Sequence, residues 1–228
     1  RSTLLASSAA SDVYKRQEGS RERITYIQPH DIISKGKHYL HSEVGQIMTT
    51  KLERISELSK QHPEMKFNSI GHLINIEMLK ECHYKMDGRK AVGIDGISKE
   101  EYNSNLDNNL KQLVEKLKNK SYRPKPARKV EIPKEKGKTR PLSIYSYEDK
   151  LVQEALRKVL ESVFEPHFYS NMCGFRPNRN CHGAIRKLND MIEGHKTNYI
   201  LDADIKGFFD NLNHDWIMKF ISSRITDN

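Results

Sequence analysis

Tyr199-Ile200-Leu201-Asp202-Ala203-Asp204-Ile205-Lys206-Gly207-Phe208-Phe209-Asp210 is the stretch on which the reading of this chain turns. Tyr199, Leu201, Ala203 and Ile205 alternate with Ile200, Asp202 and Asp204, which is the period of a strand. The alternation predicts both carboxylates on one face and apolar side chains on the other. Carboxylates this close resist double ionisation unless a cation sits beside them. Mg²⁺ takes such carboxylates and completes its octahedron with phosphate oxygens. A glycine and two aromatics follow at Gly207, Phe208 and Phe209. Taken alone, the pattern suits a solvated strand edge as well as half of a metal-dependent nucleotide-joining site.

The rest of the composition bears on that choice. The chain has 228 residues, enough for one large domain or two small ones. Hydrophobic residues make up 36% and charged residues 30%, so a modest core lies under a very polar surface. The net charge of +9 and pI of about 9.3 call for an acidic partner. The basic residues alternate with Pro, Tyr and Gly, which favours a folded surface along a phosphate backbone over a basic tail. Cys82, Cys173 and Cys181 make no C-x-x-C pair, and their odd, sparse placement argues against a disulfide framework. A reducing cytosol is the simplest compartment. No apolar run approaches the ~20 residues of a membrane span.

Organisation emerges along the chain. Residues 1–47 show no helical or strand period, and the first methionine is Met48. They are expected to be a disordered or non-native leader. Leu52, Ile55 and Leu58 predict a short helix ending before Pro63, and Asn68 or Ser69 is expected to cap a second one carrying Ile70, Leu73, Ile74 and Met78. Gly93-Ile94-Asp95-Gly96 reads as a turn, and Ser98 with Glu101 as a capping box. The helix after it places Tyr102, Leu106, Leu110, Leu113 and Leu117 on one face and stops near Asn119. Arg128–Lys134 and Thr139–Ile144 read as a basic β-hairpin around a tip at 135–138. A broad apolar stripe predicts a buried helix over 148–164, an irregular basic loop occupies 174–179, and Asn180 and Asn213 cap two further helices.

Three features could converge on phosphates. Lys134 and Arg140 stand on opposite strands near the hairpin tip, and a point charge beside a bidentate fork suits a triphosphate. Phe175, Arg176, Pro177 and Arg179 could grip a sugar-phosphate backbone and stack on bases. The same residues also suit a solubilising hairpin tip and a loop stapled down by its own arginines. The aspartate stretch is the third feature.

In order, the chain carries Ser-Tyr-Arg-Pro-Lys-Pro, Val-Glu-Ile-Pro-Lys, Lys-Thr-Arg-Pro-Leu-Ser-Ile, Glu-Asp-Lys-Leu-Val-Gln-Glu-Ala-Leu, Cys-Gly-Phe-Arg-Pro-Asn-Arg-Asn-Cys-His and Asp-Ala-Asp-Ile-Lys-Gly-Phe-Phe-Asp-Asn-Leu-Asn-His. From about Met48 to Phe220 this resembles the reverse transcriptase–maturases of bacterial group II introns. The resemblance implies an α+β right-hand polymerase fold. Residues 48–121 would be an N-terminal extension, 122–198 fingers, and 199–228 the start of a palm. It implies RNA-templated DNA synthesis with Mg²⁺, a DNA primer, deoxynucleoside triphosphates, and intron RNA as template and splicing partner. By position, Asp204 matches the first catalytic aspartate and metal ligand, and Ile205 offers its carbonyl to a metal. Phe209 matches the aromatic that closes the sugar pocket, and Lys134 and Arg140 match the triphosphate contacts. Asp202 matches no catalytic position and is expected to lend supporting charge. The Tyr-x-Asp-Asp motif of the family's palm does not occur in these 228 residues, so they are expected not to polymerise alone. A non-catalytic RNA-binding module, or the enzyme of a diversity-generating or CRISPR-linked element, is the alternative.

Overall fold

The computed structural model describes residues 43–133, 139–194 and 197–227. The expected leader over 1–47 lies almost wholly outside them, as do Lys134 and the hairpin tip.

Five helices make the core. Helix α1, Glu43–Gln61, starts ahead of Met48, where the sequence shows no period, and stops before Pro63 as expected. Leu52, Ile55 and Leu58 pack against the buried cluster. Helix α2, Ile76–Lys85, corrects the expected cap: Asn75, not Asn68 or Ser69, accepts the Met78 amide at 3.0 Å. Upstream of it the chain makes a 3₁₀ turn, Gly71–Leu73. Ser98 caps α3, Lys99–Asn103, by accepting the Glu101 amide at 3.1 Å. The helix expected to run on from there is broken at Ser104 and resumes as α4, Leu106–Lys118. Its apolar face survives the break, because Tyr102, Leu106, Leu110 and Leu113 are all buried.

The hairpin forms as expected. Strand β1, Arg128–Pro133, pairs antiparallel with β2, Thr139–Ile144, with Arg128 opposite Ile144 and Ile132 opposite Arg140. Helix α5, Tyr147–Phe164, follows, capped by Ser146. It buries Leu151, Ala155, Val159 and Val163 and packs on both α1 and α2. Cys82 is buried between α2 and its neighbours, and burial pushes its thiol up to about 11. No disulfide forms among the described residues; all three cysteines are free.

A 3₁₀ turn, Glu165–His167, ends this layer. Helix α6, Cys181–Gly194, and helix α7, His214–Ser222, carry the expected asparagine caps, with Asn180 accepting from Gly183 at 2.8 Å and Asn213 from Trp216 at 3.1 Å. After α7 the chain returns to the N-terminal helices. Phe67 and Ile225 form a parallel bridge, and Asp227 accepts the amides of Ile70 and Gly71. Arg224 donates to the Pro63 carbonyl and, at 2.9 Å, to the Ser59 hydroxyl.

The fold is thus α+β and helix-rich, with one small antiparallel sheet among the described residues. The strand expected over 199–205 is not there. That segment is irregular and exposed, because a strand exists only as one side of a hydrogen-bonded ladder and no described segment pairs with it. No described helix is long and apolar enough to cross a membrane.

Candidate active site

Antiparallel pairing decides which hairpin side chains share a face. Arg140 lies opposite Ile132, so it shares a face with Val130, Ile132 and Leu142, one pair inward from Pro133–Thr139. Its side chain is exposed, as a phosphate contact requires. Its expected companion, Lys134, lies outside the described residues.

The hairpin's root is built with more polar precision than its blades. Asp149 is 2% exposed on the first turn of α5. One of its oxygens accepts the Tyr122 hydroxyl; the other accepts the Lys125 amide at 3.1 Å and the Ser146 hydroxyl at 2.6 Å. Burial, reinforced by the bond to Asp149, raises the Tyr122 hydroxyl above its ordinary range. The loop before α3 closes round the same root. Arg128 donates twice to the Val92 carbonyl (2.9 and 3.3 Å), Lys125 pairs with Asp95 at 3.0 Å, and Lys150 donates to the Ala91 carbonyl at 2.6 Å.

The basic loop divides its three candidate contacts. The Arg176 side chain is only 8% exposed. Its guanidinium grips Glu165 at 2.8 and 3.0 Å, donates to the carbonyls of Tyr169 and Met172, and lies 5.3 Å from the centre of the Phe168 ring. With its donors committed, Arg176 staples the loop and offers little surface to a ligand. Phe175 is the opposite case: fully exposed, and at φ +55°. A bulky residue in the left-handed region is uncommon and marks a constrained backbone. Arg179 is half-buried and donates to the Ser170 carbonyl at 3.3 Å.

The aspartate stretch carries Asp202, Asp204 and Ile205 on exposed backbone. Gly207 turns the chain at φ +61°, where a side chain would be strained. Asn211 locks the turn by donating to the Gly207 carbonyl at 2.8 Å. Phe209 opens a 3₁₀ turn, Phe209–Asn211, meets Phe208 edge-on at 5.3 Å, and stays 77% exposed. No three His, Cys, Asp or Glu side chains gather into a metal site among the described residues. The residues present do not make a complete seat for Mg²⁺.

The sequence announces the parts that Asp149 and Gly93 play only weakly. One signal was there: Ser146-Tyr147-Glu148-Asp149 just before an apolar run is a helix-start pattern. That Asp149 also ties down residues 122–125 is a long-range fact with no local signature.

Comparison with known proteins agrees with the motif order. The family described as "Reverse transcriptase (RNA-dependent DNA polymerase)" matches residues 132–228. The chain is similar to the group II intron-encoded protein LtrA of Lactococcus lactis subsp. cremoris, with 33% identity over 178 residues, 77% of this chain and 29% of that protein. It is similar to the 91 kDa protein in the cob intron of Schizosaccharomyces pombe, with 32% identity over 78% of this chain and 22% of that protein. A shorter likeness, 31% over 36% of this chain and 11% of the other, reaches the mitochondrial nuclear intron maturase 1 of Arabidopsis thaliana. The chain spans less than a third of the length of each of these relatives. Residues 132–228 therefore belong to the reverse transcriptase family, and the chain is a homologue of group II intron-encoded proteins over about 77% of its length.

Proposed function

We propose that this chain is the N-terminal part of a group II intron RNA-directed DNA polymerase that also binds its intron RNA to assist splicing. One observation carries the reading: the likeness to LtrA extends over 178 residues, well beyond the 97 or so positions matched by the polymerase family itself (132–228). A generic polymerase domain would not share the helical segment as well. In this reading 48–121 is the N-terminal extension, 122–198 the fingers of a right hand, and 199–228 the start of its palm.

Roles follow from residue chemistry. Arg140, with Lys134, neutralises and orients the triphosphate of an incoming deoxynucleotide. Phe209 presents its ring to the sugar and rejects a 2′-hydroxyl by collision. Phe175 stacks on a base while Arg179 contacts the backbone, on a loop held in shape by Arg176. Asp204 and the Ile205 carbonyl are the ligands offered to Mg²⁺, fewer than the ion's octahedron needs. Asp202 adds negative charge beside them. The RNA template and DNA primer run along the basic surface that the net charge of +9 predicts.

Primer extension on an RNA template tests the reading in two steps. The 228 residues alone should yield no Mg²⁺-dependent product. In the full-length protein Asp204→Ala should abolish extension and leave RNA binding within about twofold, since one exposed carboxylate contributes little to holding a polyanion. Simultaneous loss of binding and synthesis would remove Asp204 from the reaction.

A further inference from the structure

A two-stranded ribbon is marginal by itself in water. Here the blades add little: Val130, Ile132 and Ile144 are only half-buried, and every described side chain of β2 before Ile144 is exposed. A hairpin that must present Arg140 at a fixed place needs rigidity from its root.

The root supplies it through one carboxylate. Lys125 lies three residues before β1 begins, and Ser146 two residues after β2 ends. Asp149 accepts from both through the same oxygen and from Tyr122 through the other. Its own amide donates to the Ser146 oxygen at 3.3 Å, so the link to β2 also caps α5. The entering and leaving strands are thereby joined to each other and to α5, whose inner face is buried in the core. The loop at 91–95 closes the collar, with Gly93 buried against Ser146.

We infer that Asp149 is a positioning residue for nucleotide binding: by clamping both roots of the β1–β2 hairpin to α5, it holds Arg140 at the incoming triphosphate. The last clause rests on the proposed polymerase function; the clamp itself does not. Losing an acceptor from a buried three-donor network frees the strands without touching the residues that meet the nucleotide.

Two variants test it, Asp149→Asn and the milder Tyr122→Phe. In the 228-residue chain, amide hydrogen exchange over 128–133 and 139–144 should accelerate about tenfold in Asp149→Asn and by a smaller factor in Tyr122→Phe, while α2 and α4 keep their protection. Equal acceleration in α2 and α4, or none in the hairpin, overturns the clamp. In the full-length protein, steady-state extension should show KM for the deoxynucleotide raised several-fold at unchanged KM for primer–template. A freed hairpin with an unchanged nucleotide KM overturns the positioning role. Should the full-length wild type extend no primer, the polymerase reading falls, and the exchange result alone decides whether Asp149 clamps the hairpin.

Discussion

A β-carbon added to Gly93 would lie 2.5 Å from Ser146 Cα and 2.7 Å from both Ser146 N and Tyr145 O. All three are backbone atoms at the junction of β2 and α5, and none can swing aside. Gly93→Ala should therefore cost roughly 1–3 kcal/mol by overpacking; an unchanged urea midpoint would contradict the close approach. His83 makes a second residue-scale prediction. It is 1% exposed, with Nε2 donating to Asn103 Oδ1 at 3.0 Å and Nδ1 accepting the Tyr147 hydroxyl at 2.9 Å. Burial lowers its pKa, against the hydrogen bond it donates to Asn103, and Lys99 nearby adds to the lowering. His167 is lowered too, by burial and by Arg224. Both histidines hold fewer protons folded than unfolded, so stability rises with pH until the unfolded groups are neutral. Stability should thus fall as pH drops below about 6.5, and His83→Gln should flatten that slope. A slope unchanged in the variant would remove His83 as a cause. Residue-scale legibility was uneven for a related reason. Arg176 and Arg179 look alike in sequence, yet Glu165, eleven residues before Arg176, claims the first. That partner arrives through the fold, whereas Phe175's exposure follows from the irregular Gly-Phe-Arg-Pro context.

Elements announced themselves where local chemistry is sufficient. Ser98, Asn180 and Asn213, the expected caps, each accept an amide three residues on, because a short polar side chain before an apolar run satisfies one of the helix's four orphan donors, and Ser146, which is not among them, does the same for α5. The cap at Asn75 is not distinguishable by local chemistry, because Asn68 and Ser69 offer the same signal nearby and the 3₁₀ turn at Gly71–Leu73 intervenes. The end of α4 is closed by two bonds, Lys120 N to Leu117 O and Ser121 N to Lys116 O, the Schellman pattern, with Lys120 at φ +54° where glycine is the usual occupant. Left-handed strain of ~1–2 kcal/mol outweighs the extra unfolded-state entropy of glycine, about 0.4–1 kcal/mol. Lys120→Gly should accordingly stabilise the protein by up to about 1 kcal/mol, read as a higher thermal midpoint; a lower one would mean the lysine side chain contributes a contact of its own. The segment 199–205 marks the limit of such reasoning. Its alternation is real, but a strand is a relation between two segments, and periodicity describes only one of them.

At the scale of the molecule, burial divides the chain. Every buried residue among those described lies between Ser59 and Val163. Beyond it, Ile185, Leu188, Met191 and Ile192 leave an apolar stripe of α6 open, and Trp216, Met218 and Phe220 do the same on α7. What holds the later segment is mostly polar: Arg176 on Glu165, Lys187 on the Ser170 carbonyl at 2.7 Å, and the long-range return of Arg224–Asp227 to the N-terminal helices, where Ile225 also packs on the core. A 14-residue helix with no packed face is marginal in water, so α6 should open locally far more often than the core unfolds. Exchange at low protein concentration should find the α6 amides weakly protected, and those of α2 and α5 protected to the level of global unfolding. Apolar stripes of this size also favour association, so α6 protection should climb as concentration rises, in step with a growing sedimentation coefficient. Strong α6 protection at the lowest concentration, with the chain sedimenting as a monomer, would mean that the stripe is covered within the molecule, and the division of the chain into a packed half and an open half would be wrong.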